Sequence, residues 1–467
     1  MQTEAGVVLK VKRDRLRWCA SGFDHDMSAR QKFLRGQTMN YQEGIAYLDS
    51  LGKFGIRLGM ERIEGLLREL GNPEKTIKTV HVTGTNGKGS VASMITDILL
   101  AASLHVGKFT SPHLVKYNER ITLDDEDISD EEFARVLTGV RTAADSVVQK
   151  GVCDQPTQFE ILTAMAFVWF AAKKVDYAVI EVGMGGLWDS TNVIVPVVSV
   201  ITNVTLEHMD RLGNTLEKIA MQKAGIIKDK VPVVTAASEE ALGPIRAFAM
   251  FKQAPLYIYG RAFSGREVSS SMGGQKFTLS AGDNYQSDYE ILLPGEHQIS
   301  NASLAIVAAK LVSKQDKRIT EIALHIGAAH TKWPGRLERI GTGPDVILDG
   351  AHNPDGALVL RRALDKYYPG QQVYFVFGMM ADKDMQKVIK TLIRPLDMVY
   401  TVRADDGPRA AEADRLAALV GRNAVAKNDV GSAYAEAVQA AGKSGVVCVC
   451  GSLYLVGTFK SLQQRQN

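Results

Sequence analysis

Cysteine is scarce in this chain: four in 467 residues, at positions 19, 153, 448 and 450, too few and too scattered for a disulfide framework or a zinc pattern. Cys448 and Cys450 alternate in an apolar run and should share one face of a strand, so a reduced, cytoplasmic protein is the simple expectation. Long apolar runs are missing too. Nothing approaches the roughly 18 consecutive apolar residues of a membrane span, and the N-terminus lacks the continuous apolar core of a secretory signal. Net charge is small, at +3. Residues 1–38 hold eight Lys/Arg against four acids, which leaves the remainder near −1 and without a global basic field for nucleic acid. Neither an internal repeat nor a low-complexity segment is present. What remains is an ordinary soluble composition, 45% hydrophobic and 23% charged, in a chain too long for one core.

The first 38 residues carry the weakest pattern. Val7–Val11 reads as a strand, and the rest mixes basic, polar and single aromatic residues. The segment is either a loosely attached extension or a product of translation assigned from too early a start. Glu4, Asp14, Asp24 and Asp26 argue against a basic presequence.

The informative stretch is HVTGTNGKGS, His81 to Ser90. A short apolar-alternating strand enters it, three glycines turn it, and VASMITDILL continues it as a helix. Glycines let consecutive N–H groups face phosphate oxygens, and the helix N-terminus adds donors. Lys88 would reach outer phosphates, and the Ser90 hydroxyl would meet Mg2+. Two positions depart from the common nucleotide-loop pattern: Val82 stands where a Gly is usual, and Gly89 where Ser or Thr directly follows the lysine.

Around this loop the chain alternates strand and helix. Helices are expected over 41–51, along the stripe Leu58, Met60, Ile63, Leu66, Leu67 and Leu70, from near Ser129, and over 159–170 and 216–225. Strands are expected over 105–109, 175–182, 197–202 and 231–235. Glu181 ends one strand and enters the GMGG turn, the place where open α/β sheets put their sites. The acids Asp124–Asp127 read as a solvated turn. Residues 255–292 look like an antiparallel excursion, followed by helices over 301–312 and about 318–329. At WPGR, from Trp333, the pattern resets into strands near 345–348, 372–376, 397–401 and 445–450 with helices between them. The expected domains are an uncertain extension over 1–38, an ATP-binding unit over 39–332 and a C-terminal unit over 333–467.

Seven fragments occur in an order and spacing that resemble the folylpolyglutamate synthase/dihydrofolate synthase family, within the ATP-dependent Mur ligase superfamily. They are MNY from Met39, GTNGKGS from Gly84, TSPH from Thr110, NER from Asn118, WPGRLE from Trp333, DGAHNP from Asp349 and GSLYLVG from Gly451. The resemblance spans about Met39 to Gly457. It implies an α/β fold: a Mur-ligase-type P-loop ATPase domain followed by a smaller Rossmann-like α/β domain. A monomer fits that family, and neither nucleic acid nor membrane is expected as a partner from the charge distribution and the lack of apolar runs. The implied chemistry joins a folate or dihydropteroate carboxylate to the amine of L-glutamate. ATP converts the carboxylate to an acyl phosphate, which the amine then displaces. Such a site must hold several anions together, which calls for Mg2+, lysine and backbone donors.

The resemblance also assigns residues. Gly84, Thr85, Asn86, Gly87, Lys88, Gly89 and Ser90 would cradle the phosphates. Ser90, Ser111, Glu181 and His208 would hold metal, although Glu181 and His208 stand out only through the resemblance. Lys223 matches a lysine that relatives often carry carbamylated, with an ordinary helix lysine paired to an acid as the alternative. Asn301, Arg336 and Asp349 would contact the nucleotide, the last two from across the domain junction. Arg120, His352 and Ser452 would receive glutamate; Ser452 would equally serve as a helix cap. Lys88, Lys223, Asp349 and His352 would form the catalytic set. One departure is Leu187, where many relatives carry a basic or polar residue. It leaves Asp189, Thr191 and Asn192 as supporting polar candidates and the loop's contacts to the acceptor in question.

Overall fold

The computed structural model describes residues 38–466, apart from 53, 54, 56 and 58. Val7–Val11, Cys19 and Leu58 lie outside the described residues. The first sheet contains β1 (Thr79–Thr83), β2 (Val106–Phe109), β3 (Ile121–Leu123), β4 (Glu126–Asp127), β5 (Tyr177–Glu181), β6 (Val198–Ile201), β7 (Val233–Thr235) and β8 (Leu256–Ile258). Their spatial order is β4-β3-β2-β5-β1-β6-β7-β8, with β3 and β4 antiparallel at one edge and the other six parallel. β1 is buried along its whole length, as a parallel strand covered on both faces must be. The chain switches direction across the sheet at β1. The carboxyl ends of β5, β1 and β6 therefore stand side by side, and their loops are GMGG, the phosphate loop and the segment containing Leu206–His208.

Helices cover both faces. On one side lie α1 (Lys88–Ala101), α4 (Glu296–Val312) and α5 (Glu321–His330); on the other lie α2 (Gln158–Lys173) and the helix Asp130–Gln149. α2 starts at a capping box in which Thr157 and Glu160 satisfy each other's backbone N–H groups. Glu160 also takes both its oxygens to Nε of Arg62 at 3.1 Å, a buried pair that ties the helix Glu61–Glu69 to α2. α3 (Leu216–Ala224) lies beyond the β6 loop.

The excursion is partly as expected. Leu256–Ile258 instead joins the parallel sheet as β8, because its register continues that of β7. The antiparallel part is a three-stranded sheet of β9 (Phe263–Ser271), β10 (Gly274–Ala281) and β11 (Tyr285–Ile291), packed on α4. Of the four acids after β3 only Asp124 and Asp125, both with positive φ, form the turn, and Asp124 accepts from His105 at 2.6 Å; Glu126–Asp127 instead pairs back on β3 as β4. α4 starts five residues earlier than the expected 301, at Glu296.

A second sheet holds β12 (Glu338–Gly341), β13 (Asp345–Asp349), β14 (Val373–Phe377), β15 (Met398–Thr401), β16 (Ala424–Ala426) and β17 (Val446–Cys450), in the order β12-β13-β17-β14-β15-β16. All but β12 run parallel. The adjacent ends of β13, β17 and β14 deliver DGAHNP, GSLYL and MMADKD to one place. The helix Pro354–Tyr367 reaches back to the small sheet: Tyr367 Oη receives the Gly295 N–H at 2.9 Å and pairs with Ser270 at 2.6 Å, while Lys366 meets Glu267 at 2.6 Å.

Candidate active site at the junction of two sheets

The phosphate loop is held by hydrogen bonds to the neighbouring strand ends. Thr85 N–H donates to Asn203 O at 3.0 Å, Asn86 N–H to Asn203 Oδ1 at 2.8 Å, and Thr202 Oγ1 to Asn86 O at 2.6 Å. Thr83 Oγ1 reaches Gly185 O in the GMGG turn at 2.6 Å. The glycines are needed for space as well as turning. A Cβ on Gly84 would sit 1.8 Å from Thr202 Oγ1, one on Gly87 would sit 2.6 Å from Asn301 Oδ1, and one on Gly89 would sit 2.6 Å from the Trp333 indole. The departure at Gly89 thus has a local reason: the Trp333 ring occupies the space a side chain would fill. Lys88 Nζ lies over the loop, donating to the carbonyls of Gly84 and Thr85 at 3.1 and 3.0 Å.

A cleft of about 440 Å³ runs from this loop between the two sheets. Thr85 to Gly89 border it, as do Ser111, Glu181 and His208 from the first sheet and Arg336, His352 and Ser452 from the second; Arg120 closes one wall. The remaining candidates stand behind the lining. Ser90 is buried, with Gln298 Nε2 at 3.4 Å from its hydroxyl. Asn301 donates to Gln298 Oε1 at 2.9 Å. α4 therefore underpins the loop with two amides, of which Gln298 was not among the candidates; only its helical spacing of three from Asn301 would have pointed to it. Gly84 is covered by Thr202, Lys223 is buried at 3% exposure, and Asp349 is buried at the foot of the DGAHNP turn.

The Asp349 carboxylate receives the N–H of Leu337 at 2.9 Å and that of Ala351 at 2.8 Å. It thereby joins WPGRLE to DGAHNP and sets Arg336 at the junction. Burial pushes its carboxyl up, against the opposing charge of Arg336. Glu181 is raised by burial in the same way, opposed first by Lys88 and then by the Ser111 N–H, which it accepts at 3.1 Å. Burial depresses the Lys223 ammonium to about 7, helped by the Lys88 charge and opposed by Glu207.

Arg120 commits its Nε to Nδ1 of His113 at 2.9 Å and lies 5.3 Å from the Tyr117 ring centre. Burial, then the Arg120 charge, takes His113 down to about 3, so it stays a neutral acceptor. The Ser452 hydroxyl accepts the Tyr454 N–H at 3.1 Å, which gives it the capping role at the start of helix Leu453–Gln466 while it borders the cleft.

His208 adopts a left-handed backbone with φ 51°. It faces Glu207, its Nε2 lying 3.9 Å from Glu207 Oε1. Glu207 is the main residue that sequence reading passed over, although it adjoins His208. Burial alone would raise its carboxyl, but the hydrogen bond and charge of His352, with Lys88 and His208, hold it well below the usual carboxylate range. Lys383, from MMADKD, borders the cleft and was missed as well.

Leu187 does not border the cleft. Its N–H donates to Gln222 O at 2.7 Å, and its side chain packs on Gly225. A polar group lost there therefore leaves the cleft wall intact. Phe159, Met184 and Trp188 contribute apolar lining instead, with Phe159 packed against Gly183. Asp189 ties this loop by accepting from Met184 N–H at 2.9 Å and Thr191 Oγ1 at 2.6 Å, and Asn192 donates to Leu187 O at 3.0 Å.

A phosphate loop in one α/β unit, facing strand-end groups of a second across a cleft, defines a Mur-type ligase. The family comparisons agree: the Mur ligase middle domain matches residues 82–309, and the Mur ligase, glutamate ligase domain matches residues 335–453. The Bacillus subtilis dihydrofolate synthase/folylpolyglutamate synthase is 37% identical, over 90% of this chain and 98% of its own. Two solved structures superpose with a TM-score of 0.83. The Mycobacterium tuberculosis folylpolyglutamate synthase complexed with ADP is 30% identical and covers 91% of this chain and 99% of its own. The Escherichia coli FolC in complex with DHPP and ADP is 28% identical and covers 92% and 99%. The chain belongs to the folylpolyglutamate synthase/dihydrofolate synthase family.

Proposed function

We propose that this enzyme ligates L-glutamate to the γ-carboxylate of tetrahydrofolate or its polyglutamates, through an acyl phosphate made with ATP, and that it also accepts dihydropteroate. The observation that carries this reading is the single cleft in which the phosphate loop, Glu181, Arg336 and His352 meet. A phosphoryl donor, a carboxylate and an amine must be adjacent for the two steps to follow each other without water intervening. Phe159, Met184 and Trp188 offer apolar lining on which a pterin can pack, and Arg120 offers a guanidinium for a carboxylate.

Three of the four expected donors, Ser90, Ser111 and Glu181, offer oxygen and fit Mg2+, which favours oxygen ligands and keeps waters and substrate phosphates in its shell, while His208, also at the cleft, would be its one nitrogen donor. The Glu181 carboxylate and the Ser111 hydroxyl border the cleft beside Lys88, with Ser90 beneath. Among the described residues no group of three acidic, His or Cys side chains is placed to hold a metal ion by itself. When bound, the ion would neutralise phosphate charge. Lys223 has the depressed amine that carbamylation by carbon dioxide needs, since the neutral amine is the nucleophile. Among the described residues no helix is long and apolar enough to cross a membrane.

The test is ADP formation and amide product from purified protein, with tetrahydrofolate and dihydropteroate supplied separately. Product with tetrahydrofolate alone would remove the dihydropteroate activity. Turnover with a UDP-muramoyl peptide and none with either pteridine would overturn the reading.

A further inference from the structure

Oε1 of Glu207 receives Nε2 of His352 at 3.2 Å and Nδ2 of Asn353 at 3.3 Å, and lies 3.7 Å from Nζ of Lys383. Glu207 belongs to the loop after β6, whereas the three groups it gathers belong to two loops of the second sheet. The other ring nitrogen of His352, Nδ1, faces Gly350 O at 2.8 Å. Two oxygens on opposite sides thus fix the imidazole in orientation. Asn353 extends the contact to the phosphate loop, because its Nδ2 also reaches Asn86 Oδ1 at 3.2 Å while its Oδ1 caps the following helix through Gly356 N–H at 2.7 Å. The Glu207 side chain is 12% exposed, so these contacts compete with little solvent.

We propose that Glu207 is a positioning residue for the amine-side half of the reaction. Its carboxylate sets His352 and Lys383 toward the incoming glutamate only while the loops of the two sheets are together. The second substrate therefore meets a formed site when the phosphate loop is engaged from across the junction. This rests on the reading of His352 as a glutamate-side group. It assigns Lys383 to the same place as a cation for a glutamate carboxylate, held in reach by Glu207.

The experiment is steady-state kinetics on the full chain with Glu207→Gln, which keeps the shape and removes the charge. The glutamate KM should rise at least about tenfold, with ADP binding measured by calorimetry changed by less than about twofold. Glu207→Asp, which keeps the charge on a shorter arm, should recover part of that loss, and it serves as the reading variant should the amide fail to fold. Glu207→Gln combined with His352→Gln and Lys383→Met should raise the glutamate KM no further than those two changes do together, since Glu207 acts through them. A glutamate KM unchanged in Glu207→Gln, or an additive effect in the combined variant, would overturn the proposal. A silent His352→Gln beside a raised KM in Glu207→Gln and Lys383→Met would instead remove the His352 reading and leave Glu207 acting through Lys383.

Discussion

The backbone N–H of Ser111 points at the buried carboxylate of Glu181 across 3.1 Å. The TSPH loop and the end of β5 are therefore held together through the Ser111 backbone and the Glu181 side chain. Glu181→Gln preserves the acceptor and removes the charge. ATP turnover should fall about a hundredfold or more, because the carboxylate that would hold Mg2+ against the reacting phosphate loses its charge. The melting temperature at neutral pH should not fall, since burial already disfavours the ionised form. Parallel assays of turnover and thermal unfolding check both halves.

Lys223 gives a pH prediction with a definite sign. Its folded-state value, near 7, lies below the ordinary 10.5, so the folded protein resists protonation more than the unfolded chain does. The cost is fully present below about 7 and disappears as the pH rises toward 10.5. In carbon-dioxide-free buffer, Lys223→Met should melt higher than the parent near pH 6, with the gain shrinking as the pH rises. A gain that grew with pH would contradict the assignment. Turnover of the same variant should be lost.

Gly89 and Trp333 should behave as a pair. Gly89→Ala pushes a methyl into the indole, an overpacking that typically costs about 1–3 kcal/mol. It should weaken ADP binding and lower the melting temperature. Adding Trp333→Leu should restore much of both, and two equally damaging, additive changes would show that the ring is not the obstacle.

Lys88→Ala and His352→Ala should fail differently. The first should cut phosphoryl transfer about a thousandfold with the glutamate KM little changed. The second should raise the glutamate KM while ADP still binds. Initial rates over both substrates separate the two, and loss of ADP binding in His352→Ala would refute the division.

Much of this architecture was legible because buried parallel strands announce themselves as short apolar or apolar-alternating runs ending in signature loops. Residues 79–83, 177–181 and 446–450 are of that kind. β12 was not legible: Glu338–Gly341 is an edge strand with exposed Arg339 and Ile340, so it lacks alternation. Helix Glu239–Phe251 was hidden by Pro244 inside it. The cleft-facing fragments could be named in advance, but their supports could not. Gln298 and Glu207 act through contacts between segments far apart in sequence, and nothing in their immediate neighbours distinguishes an amide or acid with a partner from one without. Leu187 shows the converse error, in which a departure in the alphabet of a loop concerned a side chain turned away from the cleft.

The contacts of Tyr367 with Gly295 and Ser270 bear on how the enzyme opens. They tie the C-terminal unit to the three-stranded sheet through residues that take no part in the Glu207–His352 contact. A motion that parts Glu207 from His352 therefore need not break the Tyr367 contacts, and those can hold the two units together while the cleft admits substrate.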